Sequence, residues 1–446
     1  MMKKPIINII GGGLAGSECA YKLAENDFKV NLFEMKPLKF SPAHKNPCLA
    51  EIVCSNSLKG EDKLSSSGLL KSELKAFNSL ILDCAEKTRV PSGNALSVDR
   101  EKFSALVDKV IRSHKNITVI EKEVTEIPTK SDDLWVIATG PLTSEKLMQN
   151  LQSILGKDNL FFFDASAPIV TKESLDREQY FIQNRYGEAE TGDYINCPLT
   201  KEQYEIFYNE LIKAKTIELK DFETSEVFEG CMPIEVMAKR GKDSLRFGPM
   251  KPVGLNKNPK FGKCYAVVQL RKENIEEQSY NLVGFQTNLT FSEQKRVFSL
   301  IPALNNAEFI KYGVMHKNNY INSPKHLNNN YQLKKYPHIY FAGQISGVEG
   351  YVESTASGMS VAISIISLYN NNKRIDFDNT TLIGALANYI SNPANENNFQ
   401  PMNSNYGILQ NLEEVSKKVD KSTKREMYYN RSMESINKIK ENMKWV

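Results

Sequence analysis

Apolar positions near the N-terminus change period within thirty residues. "PIINII" (5–10) is a short unbroken apolar run with β-branched residues, the mark of a buried strand. A glycine-rich break follows. Leu14, Cys19 and Leu23 then fall on one face at helical spacing through "SECAYKLAEND", and "KVNLFE" (29–34) reads as a second strand. The opening is therefore a βαβ unit. "NITVIEKEV" (116–124) and "LWVIATG" (134–140) predict further strands, the second buried and ending in glycine. From about 190 to 324 the pattern changes. "YINCPLTKEQYEIFYNELIKA" predicts a turn into a helix capped by Thr200, and "CYAVVQLR" and "YNLVGFQTNL" are β-rich. "HIYFAGQ" (338–344) returns to the buried-strand style, and "STASGMSVAISIISLY" (354–369) predicts a helix of small residues. The Asn/Lys-biased "HLNNNYQLKK" and "YNNNKR" are expected to be surface loops. No internal repeat is visible. The pattern predicts an α/β chain. A Rossmann-like domain is formed by both ends, 1–190 and 325–446, around a smaller α+β insertion domain at 191–324.

A length of 446 residues exceeds one ordinary core, and 41% hydrophobic with 25% charged residues fits a globular chain. No apolar stretch approaches the roughly 18 residues of a membrane span. The start, "MMKKPIINII", breaks into "GGGLAG" too soon for a signal peptide, so the expected location is cytoplasmic, with no membrane partner. The seven cysteines are odd in number and contain no CxxC, and the five histidines do not cluster with them. Neither a disulfide framework nor a metal site is expected.

Gly11, Gly13 and Gly16 spell GxGxxG after a strand and at the start of a helix, and Glu34 closes the next strand 18 residues after Gly16. In this setting the first glycine permits a tight turn. The second lets the backbone approach a pyrophosphate, and the third lets the helix pack on the strand. Glu34 suits a ribose 2′-hydroxyl. "VIATG", ending at Gly140, and "IYFAGQISGVEG", with Gly343 and Gly350, resemble the second and third nucleotide-contact segments of FAD proteins. No second GxGxxG fold is present. One tightly held FAD is expected, with a nicotinamide cofactor only visiting.

Net charge is +4, which by itself selects no partner. The local distribution adds more. Between Lys239 and Lys263 eight basic residues, among them Arg240, Arg246 and Lys251, meet one acid, Asp243, and the C-terminal stretch from "SKKVDK" onward is also basic. Such patches hold polyanions through phosphate contacts, or they are solvated faces. Two thiols stand out beside them. Cys231, in "EGCMPIE", lies in a Gly/Pro-marked turn just before the basic run, and Cys54, in "EIVCSNS", precedes small polar residues. For both, the reading as a nucleophile stands against a small buried hydrophobe. Cys19 and Cys84 read as core, and Cys48, Cys197 and Cys264 carry no signal.

Nearly the whole chain, from "IIGGGLAGSECAYKLA" to "PMNSNYGIL", resembles the folate- and FAD-dependent tRNA uracil-C5 methyltransferases. The markers are "AEIVCSNSLKG", "TRVPSGNALSVDR", "FFDASAPIV", "FEGCMPIEVMAKRGKDSLRFGPMKPVGL", "YNLVGFQTNL" and "FAGQISGVEGYVESTASG". The resemblance implies that methylenetetrahydrofolate donates a carbon carried through the flavin, with NAD(P)H as electron source. It implies that Cys231 adds to uracil C6, turning C5 into a nucleophile. Cys54 is implied as a second catalytic thiol, and Lys239, Arg240, Arg246 and Lys251 as phosphate contacts for the flipped base's RNA. Two positions depart from the family pattern. Asn288 stands in "GFQTN" where the family has histidine, and Lys317 follows His316 where the family usually has arginine. Asparagine offers no ring to a pterin, and lysine no bidentate phosphate contact. Together they raise a uridine of large-subunit ribosomal RNA as an alternative to the tRNA T-loop. A small-molecule flavin oxidoreductase and a non-catalytic RNA-binding flavoprotein are the competing classes, and both leave the cysteine blocks unexplained.

Overall fold

The computed structural model describes residues 3–156, 159–188, 191–217, 232–255, 258, 260–412 and 419–443, with the backbone alone at 159, 160, 162–164 and 371. A five-stranded parallel sheet runs in the order β16 (Ile339–Phe341), β7 (Leu134–Ile137), β1 (Ile7–Ile10), β2 (Val30–Glu34) and β6 (Ile117–Glu121). Each strand comes from one of the five apolar runs named above. Parallel strands covered on both faces read as continuous hydrophobic runs, and all four residues of β1 are buried. β16 enters the sheet about 200 residues after β7, so both ends of the chain build it.

The helix Leu14–Glu25 packs along the helix Tyr351–Asn371. The small-residue run explains how close they come. A Cβ on Gly358 would lie 2.2 Å from the Ala15 carbonyl oxygen. The long helix closes at Asn372 in a left-handed turn, so "YNNNKR" begins as its last turn and not as a loop. "HLNNNYQLKK" is a larger correction. Leu327, Tyr331 and Leu333 are buried in the main core. The Asn328 side chain accepts from the Asn330 and Gln332 amides and holds a tight turn, so the asparagines serve geometry here and not solvent exposure.

A second, antiparallel six-stranded sheet has the order β10 (Phe181–Ile182), β11 (Tyr194–Leu199), β12 (Ala266–Lys272), β13 (Ser279–Leu282), β9 (Ile169–Thr171) and β14 (Phe309–Lys311). It carries its own core, with Phe207, Phe285, Phe298 and Tyr280. The helix Lys201–Lys213 packs there and starts at a capping box between Thr200 and Gln203. β9 and β10 precede residue 190, yet they hydrogen-bond into this sheet. β8 (Asn159–Ala165) pairs with β15 (Met315–Ile321) where the chain passes between the two sheets, and β3 (Ser57–Gly60), β5 (Ala95–Val98) and β4 (Arg89–Val90) form a small third sheet.

Buried carboxylates tie the helices together. Glu73 accepts from the Leu382 amide (2.7 Å), the Ile383 amide (2.9 Å) and the Ser432 hydroxyl (2.6 Å), so it caps one helix and holds another. Removing it strands three buried donors, each worth roughly 1 kcal/mol or more. Glu73→Ala is expected to cost about 3 kcal/mol in urea unfolding. Burial outweighs the donors and pushes this carboxyl from 4.5 up to about 7. Between those values the folded chain holds a proton that the unfolded chain has released, so stability falls as pH rises through that window. The variant should lose this share of the slope.

Candidate active site

β1 ends in the glycine turn, and each glycine has a separate structural reason. Gly11 sits at φ +100°, and a Cβ there would meet the Ala138 carbonyl oxygen at 2.5 Å. At Gly16 a Cβ would fall 1.9 Å from the Gly11 carbonyl oxygen, so only glycine lets the helix lie on the turn. Gly13 differs: nothing stands within 4 Å of its missing Cβ, and it is the N-cap of Leu14–Glu25 with no side-chain cap. Free amides, a positive helix end and empty space suit a pyrophosphate. Glu34 ends β2 and accepts from the Gly12 amide (2.9 Å) and the Lys36 amide (3.0 Å), which fixes the carboxylate in place. A carboxylate so held has lone pairs beyond these two bonds, a geometry that suits a ribose hydroxyl.

These groups open on a cleft of about 1120 Å³, walled by Gly11, Gly13, Glu34, Gly140 and Gly343 among others. Gly140, like Gly13, has open space where a Cβ would project. Gly16 supports the turn from behind. Gly350, at φ +115°, begins the helix Tyr351–Asn371 and lines a second cavity. The glycine cradle, the uncapped helix end and the fixed carboxylate fit a dinucleotide such as FAD.

The second cavity, about 1720 Å³, shares Val53, Pro141, Leu142, Gln344 and Tyr351 with the cleft. Cys54 lies in its wall, half-buried, with its sulfur 3.9 Å from the Ala165 carbonyl oxygen. At Ile52, Val53 and Cys54 its loop is clamped through backbone atoms. The Tyr351 hydroxyl accepts from the Cys54 amide (3.0 Å). Arg100 donates to the Ile52 (2.9 Å) and Cys54 (3.3 Å) carbonyls, and Lys311 to the Val53 carbonyl (3.0 Å). From β12, Arg271 donates to Ser55 Oγ (2.7 Å) and Asn56 Oδ1 (2.9 Å). Three cations thus brace the loop that carries the thiol. Burial pulls the Lys311 ammonium down to about 8. No sequence signal marks this clamp, because its members are scattered from Arg100 to Lys311 and a lone Arg or Lys reads as surface. Arg100 also pairs with Glu273, which is buried, at 2.5 Å. Arg100→Ala leaves that carboxylate unpaired and is expected to cost about 3 kcal/mol or more in urea unfolding.

His316 also lines the second cavity, as does Asn318 two residues along β15, whereas Lys317 points the other way and lies exposed over the Phe161 ring, 3.6 Å from its centroid. Burial, with Lys311 nearby, pulls the His316 imidazole below its usual range, so it is neutral at pH 7. Asn288 stands outside both cavity walls. It is 4% exposed, and its side-chain amide donates to the Ile217 carbonyl (2.9 Å), while its Oδ1 has no partner among the described residues. Cys231 lies outside the described residues. On either side of 218–231, the Ile217 amide donates to Asn288 O (2.9 Å) and the Ile234 amide to Gln286 O (2.7 Å), and Gln286 lines the second cavity.

The basic run lies on the second lobe, and Lys239, Arg240, Arg246 and Lys251 are absent from both cavity walls. Lys239 and Arg240 are exposed at the end of the helix Ile234–Lys239. Arg246 stacks on Tyr265 (3.6 Å) and pairs with Asp243 (2.7 Å), and Lys242 pairs with Glu205 (2.6 Å). Part of the run's charge is therefore spent within the protein. Cys19, Cys84, Cys197 and Cys264 are buried, and burial pushes the Cys84 thiol up to about 12. Among the described residues no three His, Cys, Asp or Glu side chains are grouped to hold a metal ion, and no helix is long and apolar enough to cross a membrane.

A family model described as glucose inhibited division protein A matches residues 6–373. The chain is 55% identical over 407 residues to "Methylenetetrahydrofolate--tRNA-(uracil-5-)-methyltransferase TrmFO" of Acetivibrio thermocellus, covering 91% of this chain and 92% of that one. To the protein of the same name from Staphylococcus aureus it is 48% identical over 438 residues, covering 98% and 99%. Among solved structures, Aquifex aeolicus GidA superposes with a TM-score of 0.68 at 14% identity, over 98% of this chain and 74% of that one, which is a likeness of fold.

Proposed function

We propose, for a chain that belongs to the glucose inhibited division protein A family and within it to the methylenetetrahydrofolate--tRNA-(uracil-5-)-methyltransferases, that it methylates C5 of a uridine in tRNA. The carbon comes from methylenetetrahydrofolate, FAD is the resident cofactor and NAD(P)H the electron source. The observation that carries this reading is the wall common to the two cavities: Cys54 opens into a large space that abuts a dinucleotide cleft. When bound, FAD supplies the redox chemistry of one-carbon transfer.

The chain's own residues divide the remaining work. Gly11, Gly13 and the helix end behind them hold the pyrophosphate, Glu34 the ribose, and Gly140 and Gly343 admit the rest of the cofactor. The Cys231 thiolate adds to uracil C6, which makes C5 nucleophilic toward the donated carbon. Cys54, on its braced loop, acts as the second thiol, and neutral His316 can accept or donate a proton in the same cavity. Lys239, Arg240 and Lys251 contact RNA phosphates. Arg246 contributes through an orientation set by Tyr265. Asn288 supports the segment beside Gln286 and acts on folate only through it. Lys317 meets RNA from outside the cavity. The cofactor lobe comprises both ends of the chain, and the insertion begins near Ile169, where β9, the earliest strand of the second sheet, starts.

Mapping 5-methyluridine in RNA from cells lacking the gene tests the substrate. Loss from the tRNA T-loop supports the reading. Loss from large-subunit ribosomal RNA keeps the chemistry and moves the target. Retention of every 5-methyluridine, with no second enzyme to supply it, leaves a flavin oxidoreductase.

A further inference from the structure

The wall of the Cys54 cavity carries Phe291 and Tyr312, two rings of a near-parallel ladder of three completed by Phe309. Phe291 stacks on Tyr312 with centroids 4.9 Å apart and planes 16° apart, and Tyr312 lies against Phe309 at 5.6 Å and 8°. The inner ring, Phe309, packs against the core of the second lobe. The outer ring, Phe291, is 50% exposed, and Ile310 is 55% exposed. Phe291, Ile310 and Tyr312 all line the cavity that holds Cys54 and His316. Lys45 and Lys311 line it too. A half-exposed phenylalanine backed by two rings is a rigid flat face, and it shares the cavity wall with Lys45, Lys311 and Cys54.

We propose that Phe291, supported by Tyr312 and Phe309, is a stacking platform for a nucleobase of the RNA substrate, the base next to the one taken into the cavity. This rests on the function proposed above. A base withdrawn from its stack leaves a neighbour with a bare π-face, and aromatic side chains receive such faces without regard to sequence. The nearby lysines fit the adjoining phosphates. The ladder's position favours a base over a folate ring: Phe291 is half in solvent and lines the second cavity alone, while Tyr351 and Gln344 line both that cavity and the dinucleotide cleft.

The test is equilibrium binding of a tRNA transcript to FAD-loaded protein, with methylenetetrahydrofolate binding measured in parallel, for wild type, Phe291→Ala, Phe291→Leu and Phe291→Trp. The platform predicts about tenfold or greater loss of RNA affinity in Phe291→Ala, from the usual worth of a base–aromatic stack. It predicts a similar loss in Phe291→Leu, recovery in Phe291→Trp, and folate binding and flavin absorbance unchanged throughout. Unchanged RNA affinity in Phe291→Ala overturns it. So does recovery in Phe291→Leu, which would mean apolar contact alone, and so does a loss confined to folate, which would make the ladder a pterin seat. A wild-type protein that holds FAD and binds no RNA overturns the proposed function itself, an outcome distinct from a wild type that binds RNA with Phe291 indifferent.

Discussion

Cys54→Ala and Cys231→Ala are each expected to abolish methyl transfer, by about a thousandfold or more, while the protein keeps its flavin. For Cys54 the structure makes the separation clean. The loop is held through the Cys54 amide and the Ile52, Val53 and Cys54 carbonyls, and among the described residues its sulfur has one polar contact, the Ala165 carbonyl at 3.9 Å. Alanine keeps every backbone bond of the clamp and removes only the thiol. Flavin absorbance and the unfolding midpoint should match wild type, and turnover should not. For Cys231 the expectation rests on the chemistry of C6 addition and on the flanking Ile217 and Ile234, both bonded to residues 286–288. A variant that loses flavin together with turnover would make Cys54 a structural residue of the cofactor site.

Gly13→Ala and Gly16→Ala should separate cofactor binding from folding. At Gly13 the φ of −74° suits alanine, and its new methyl meets no protein atom within 4 Å. It would occupy the space offered to the pyrophosphate, so the protein should fold normally and bind FAD at least about tenfold more weakly, as a misplaced methyl group at a close backbone contact requires. At Gly16 the methyl would stand 1.9 Å from the Gly11 carbonyl oxygen. The helix must move off the turn, and both the unfolding midpoint and the flavin should be lost. Measuring flavin-to-protein absorbance and thermal unfolding for both variants checks the pair. Equal behaviour of the two would contradict the assignment of Gly13 to the phosphate.

The parallel sheet was legible because its strands are buried on both faces and so announce themselves as unbroken apolar runs: all five runs became its five strands. The glycine fingerprint was legible because spacing and context both constrain it. The insertion was harder. Its short strands β9 and β10 carry no long run, and their partners lie far along the chain, so pairing decides their place. The asparagine-rich "HLNNNYQLKK" misleads because composition reports polarity and not the side-chain bonds that bury a turn. At the site, Cys54 was visible as a thiol in an unusual setting, but the Arg100–Arg271–Lys311 clamp exists only after folding. Likewise, sequence neighbours His316 and Lys317 look like a pair until the strand turns them to opposite sides.

The most direct measurement incubates the purified, FAD-loaded protein with an unmodified tRNA transcript, NAD(P)H and methylenetetrahydrofolate labelled in its methylene carbon, and then digests the RNA to nucleosides. The account predicts label in 5-methyluridine, absent when FAD or folate is omitted and absent with Cys231→Ala. Unlabelled RNA together with NAD(P)H oxidation that proceeds equally without tRNA would contradict it.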